Sequence, residues 1–121
     1  MPTKQEVASF VRSSFRSVWS LELLCFLRKN RDQAFGHADL VAALRGSDLV
    51  VTHSVEGLLA AGLVVIEGEN RVRYQPVSDP VDKLAGAAEA LYAQRPDSVR
   101  RIIVTPSGAA SFADAFRLRR D

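Results

Sequence analysis

The chain has 121 residues, enough for one domain with short extensions, and 47% of them are hydrophobic, ample for a single core. Charged residues at 25% and aromatics at 7% are an ordinary globular composition and exclude a disordered or low-complexity class. The net charge of +2 is unevenly spread: residues 1–45 carry +3, residues 46–70 carry −4 and residues 71–121 carry +3.

In chain order, Val7, Phe10, Val11, Phe15, Val18 and Trp19 recur at three- and four-residue steps, which predicts an amphipathic helix. The opening "MPTKQEVASFVRSSF" lacks the apolar core of a signal peptide. "SLELLCFLRKN" predicts a central helix with Ser20 as its N-cap, although Ser17 is also a candidate start. Arg28, Lys29 and Asn30 suit its C-terminal end. Cys25 is the single cysteine, so no internal disulfide is possible, and its neighbours Leu23, Leu24, Phe26 and Leu27 predict a small buried thiol. Trp19, Phe10, Phe15 and Phe26 are expected in the core.

"RDQAFG" is a polar linker whose one aromatic, Phe35, is expected to act as a short strand or a plug. "HADLVAALRG" predicts a short helix with Leu40, Val41 and Leu44 inward and Gly46 at its end. Ser47 restarts the chain as an N-cap, with Asp48 at the positive end of the next helix dipole. Val51, Val55, Leu58 and Leu59 are the expected buried face of that helix. Gly62 stops it and Leu63 seals the end. The run Leu58 to Ile66 is the longest apolar one and is too short to span a bilayer.

Val64–Ile66 and Val72–Tyr74 read as two strands around the turn "EGEN". Asp79 and Pro80 then open another helix as N-cap and first helical residue. Val81, Leu84, Ala88, Leu91 and Tyr92 share a face. Arg95-Pro96 breaks or kinks the helix, and Val99, Ile102 and Ile103 resume the apolar pattern. After a linker holding Pro106 and Gly108, Ser111 and Asp114 resemble a capping box for a last short helix.

The stretch "DLVAALRGSDLVVTHSVEGLLAAGLVVIEGENRVRY" resembles the winged helix-turn-helix family of bacterial regulators, of the MarR-like and ArsR-like type. Asp39-Leu40-Val41 opens the first helix of the pair, and Gly46-Ser47 makes the turn. Leu59-Ala60-Ala61-Gly62-Leu63-Val64 is the exit, and Glu67 to Asn70 the wing tip. The likeness covers residues 20–75. It implies a mainly α fold with a small β-hairpin wing, flanked by N- and C-terminal helices. Residues 1–78 would form the winged-helix domain, residues 79–105 a helical extension suited to dimerisation, and residues 106–121 a linker and tail.

By that resemblance the helix starting at Ser47 lies in a major groove of double-stranded DNA and controls transcription. Thr52 and His53 would read base edges, while Arg45, Arg71 and Arg73 would hold phosphates. Arg28, Lys29, Arg31, Arg12 and Arg16 could complete a basic rim. A homodimer would double the contacts, with Leu84, Leu91, Tyr92 and Ile102 at its interface.

One feature of the sequence opposes that reading: residues 46–70 contain no lysine or arginine but four acids, Asp48, Glu56, Glu67 and Glu69. The alternative is a protein-interaction adaptor that uses this acidic face. Its tail would help, since Phe112 and Phe116 lie four apart on one helical face and Arg117, Arg119 and Arg120 follow. No Ser-His-Asp order, phosphate loop or carboxylate pair stands out, so no enzyme is expected. His37 and His53 are the only histidines, too few with one cysteine for a zinc site. No cofactor and no membrane partner are expected, and the expected location is cytoplasmic.

Overall fold

A reciprocal cap begins the first helix, α1 (Lys4–Ser14): the Thr3 hydroxyl accepts from the Glu6 N–H at 3.1 Å, and the Thr3 N–H donates to the Glu6 carboxylate at 2.8 Å. The computed structural model describes residues 2–104. The tail residues Ser111, Phe112, Asp114, Phe116, Arg117, Arg119 and Arg120 lie outside them. The helix ends where Phe15 takes an extended backbone and drives its ring into the core, edge-on to Phe10 at 5.7 Å. A second helix, α2 (Val18–Lys29), follows at once.

The expected single helix through Val18 and Trp19 is therefore two helices. The N-cap of α2 is Ser17, and Ser20 sits three positions in, where its N–H donates to the Ser17 hydroxyl and its own hydroxyl to the Ser17 carbonyl at 2.7 Å. Leu21, Leu23, Leu24 and Leu27 are buried, which makes α2 the central helix. Trp19 is on its outer side and 41% exposed, contrary to the core position expected of it. Phe10 and Phe26 are only half-buried, packed on the core's edge.

Phe35 exchanges two backbone hydrogen bonds with Val72, at 2.9 and 2.8 Å, and its ring lies 4.9 Å from that of Phe26. It is thus both strand-like and a plug. Next comes α3 (His37–Leu44), with Leu40 buried and Val41 and Leu44 half-buried. Its left-handed cap is Arg45 (φ 55°), not Gly46.

Ser47 caps α4 (Asp48–Ala60) by accepting the Val50 N–H at 3.1 Å. The buried face of α4 is Val51, Ser54 and Leu58, with Val55 half-buried. Leu59 is 39% exposed, because it lies one step around the helix from Leu58. Gly62, at φ 74°, ends α4 with paired bonds: Leu63 N–H to the Leu58 carbonyl and Gly62 N–H to the Leu59 carbonyl. That is the glycine-terminated helix stop in which the next apolar residue, here fully buried Leu63, folds back. Burying Leu58 and Leu63 contributes roughly 1.5–3 kcal/mol each.

Strands β1 (Val64–Glu67) and β2 (Arg71–Tyr74) pair antiparallel, from Val64 opposite Tyr74 to Glu67 opposite Arg71. Gly68 and Asn70 supply the two left-handed positions of the turn between them. Ser78, not Asp79, caps α5 (Asp79–Gln94), which moves Asp79 and Pro80 into its first turn. Pro96 begins α6 (Pro96–Val104). Both α5 and α6 pack on α1, burying Ala85, Ala88 and Val99 with Val7 and Val11. The architecture is mainly helical with one small antiparallel hairpin. Among the described residues, no helix is long and apolar enough to cross a membrane.

Candidate functional site

The face of α4 turned to solvent follows from its buried one. With Val51, Ser54 and Leu58 inside, the positions Leu49, Thr52, His53 and Glu56 form an exposed stripe at helical spacing. Asp48 precedes it, and its carboxylate lies 3.0 Å from His37 Nε2, linking the starts of α3 and α4. Leu49 is 63% exposed, an apolar side chain presented to solvent between polar neighbours. Ser47 is exposed too, but its hydroxyl is engaged in the cap.

The arginines expected around this face divide into two groups. Arg73 turns along its own hairpin: Nε lies 3.3 Å from Glu67 Oε1 without hydrogen-bond alignment, and Nη2 donates to the Asp32 carbonyl at 3.3 Å. Arg28 and Arg31 face α5. Arg28 pairs with Glu89 at 3.1 Å and Arg31 with Asp82 at 3.5 Å, and both guanidiniums stack over the Tyr74 ring. All three have intramolecular partners. Arg12, Arg16, Arg45 and Arg71 are exposed and have no ion-pair partner among the described residues.

Residues 45–74, which hold α4 and the hairpin, carry three arginines (Arg45, Arg71, Arg73) against four acids (Asp48, Glu56, Glu67, Glu69), a balance of −1. Arg16, which lines a cavity with His53 and Glu56, offsets that single charge. Compared with family models, curated proteins and solved structures, the chain has no significant match.

The four residues expected at a dimer interface are partly used within one chain. Leu91, Tyr92 and Ile102 are half-buried against the core, and Leu84 is half-buried on α5. The Tyr92 hydroxyl donates to Glu22, and Arg100 lies 5.7 Å over the Tyr92 ring. Burial, then the Glu22 bond, pushes the Tyr92 phenol above its ordinary range.

Cys25 is half-buried, and desolvation, helped by the nearby carboxylates of Glu89 and Glu22, pushes its thiol up to about 12. A thiol held protonated is a poor nucleophile. The described residues hold no group of three or more metal-ligating side chains.

Two site features had no sequence signal strong enough to find them. Ser54 is buried with its hydroxyl unpartnered among the described residues, although its spacing from Val51 and Leu58 placed it on the inner face. Asp82, Glu89 and Tyr74 gather around Arg28 only through tertiary contact.

Proposed function

We propose that residues 20–75 are a winged-helix module whose α4 face docks a protein rather than a duplex. The observation that carries this reading is Leu49: an apolar side chain 63% exposed, in line with Thr52, His53 and Glu56 and next to Asp48. An exposed apolar anchor rimmed by acids fits a partner surface with an apolar socket and a basic border. The same face meets a phosphate backbone with Asp48 and Glu56 leading, and Arg73 is drawn off by Glu67. The module is thus an adaptor, a regulatory domain acting through protein contact.

The test is site-specific photocrosslinking in cells. A crosslinker at position 49 should give protein adducts that one at Lys83, on α5, does not. Asp48→Lys with Glu56→Lys should remove those adducts. The purified chain should show no retention of DNA fragments even at low salt. Retention that weakens as salt rises, with no adducts from position 49, would overturn the reading.

A second reading, a dimeric DNA-binding regulator, is favoured by Arg45. A long side chain in the left-handed region costs about 1–2 kcal/mol, and such strain often accompanies function. Arg45 directly precedes the α4 cap, and Arg71 follows the hairpin turn, both unpaired among the described residues. If this reading holds, Arg45→Ala with Arg71→Ala weakens binding to every sequence and flattens its salt dependence.

A further inference from the structure

We propose that the cavity between the start of α2 and α4 binds a small zwitterion, an α-amino acid with an apolar side chain. The cavity measures about 410 Å³ and is walled by Arg16, Ser17 and Trp19 on one side and by Val50, His53, Ser54 and Glu56 on the other. That volume falls in the range of small-molecule sites, roughly 300–1,000 Å³.

Its charges select the ligand class. Arg16 and Glu56 both line it, and neither has an ion-pair partner among the described residues. A simple anion drawn by Arg16 would also meet Glu56, and a simple cation drawn by Glu56 would also meet Arg16. A molecule bearing both charges satisfies both residues. The carboxylate belongs at the Arg16 end, where the positive end of the α2 dipole begins at Ser17. The ammonium belongs at Glu56. Trp19 and Val50 form the apolar wall against which the ligand's side chain rests.

Ser54 belongs to the inner wall of the cavity. It is 3% exposed, it contributes to the cavity wall, and its hydroxyl has no hydrogen-bond partner among the described residues. A buried hydroxyl left unpaired destabilises a fold. The Ser54 oxygen is itself closed to solvent, so the ligand is held by Arg16 and Glu56.

Trp19 is the only tryptophan of the chain, so its fluorescence reads this cavity. The experiment titrates the full chain with L-valine, L-leucine, L-isoleucine, L-methionine and L-phenylalanine. 3-Phenylpropionate and phenethylamine serve as the two half-ligands of phenylalanine. At least one amino acid should change Trp19 emission saturably. For phenylalanine or its tighter-binding relative, either charge deleted should cost roughly tenfold or more in affinity. Arg16→Gln and Glu56→Gln, both at exposed positions and expected to fold normally by circular dichroism, should each weaken amino-acid binding. No saturable change with any of the five overturns the proposal. So does equal affinity for a half-ligand, or binding that survives both variants. None of these readouts depends on what the outer face of α4 docks.

Discussion

Two faces of the molecule carry similar residues and treat them in opposite ways. Where α2, β2 and α5 meet, Arg28 and Arg31 each reach a carboxylate of α5. Arg28, its side chain only 15% exposed, reaches Glu89 at 3.1 Å and Asp82 at 3.9 Å, and the Tyr74 hydroxyl donates to Asp82 at 2.6 Å. On the outer side of α4, Asp48 meets only His37, while Leu49 and Glu56 face solvent. The contrast teaches that a count of arginines says little about binding. What matters is whether the fold has already supplied each with a partner.

The largest expected effect tests the first face. Arg28→Ala removes one guanidinium that serves two carboxylates and one aromatic ring. Fully buried pairs cost about 3–5 kcal/mol to break, and exposed ones well under 1. With Asp82 and Glu89 about one-third exposed, a loss of about 2 kcal/mol in urea unfolding is expected. The matching truncation on the other face, Leu49→Ala, should stay within about 0.5 kcal/mol of the parent. Equal losses at the two sites would erase the distinction.

Half that effect, with the opposite sign, is expected from Ser54→Ala. The substitution deletes a buried hydroxyl that has no partner among the described residues, and it places a better helix former inside α4. A gain of about 1 kcal/mol should follow. A loss of stability in the same urea melt would mean that the hydroxyl already has a partner.

Both faces were unequally legible in the chain. The pair α3–α4 and the hairpin could be read because local chemistry defines them: Ser47 as a cap, Gly62 as a stop, Leu63 as a seal, and "EGEN" as a turn. Helix starts near Ser17 and Ser78 were displaced because capping residues crowd there, and spacing alone does not choose among them. Phe15, Val18 and Trp19 continue a helical period across a real break, so Trp19 was assigned to the core when it is half-exposed. The Arg28 cluster joins residues 54 and 61 positions apart, Asp82 and Glu89, and no local pattern announces such a meeting. For the same reason the partners of Arg28, Arg31 and Arg73 have no signature in the sequence. The cavity is likewise a product of how α2 starts beside α4, not of any motif.

The smallest expected effect sharpens the comparison through pH. The hydrogen bond from Tyr74, with help from Arg31 and Arg28, holds the Asp82 carboxyl below its ordinary value of 3.8 despite its partial burial. The unfolded chain then binds its proton more readily than the folded one. Asp82 therefore adds stability that is fully present above the ordinary carboxylate range and is lost as pH falls through the folded value. Tyr74 gives the opposite arm: burial first, then the Asp82 bond, raises its phenol above the ordinary 10.0. Its contribution holds below that value and fades as alkaline pH approaches the folded one. Urea midpoints of the parent and Asp82→Asn, measured from about pH 7 down to about pH 3, should converge at the acid end. Tyr74→Phe should narrow the same acid window, because it removes the main cause of the Asp82 shift. Parallel curves for parent and Asp82→Asn would mean that the carboxylate is not held by its neighbours, and that the seam between α2 and α5 is no better paired than the open face of α4.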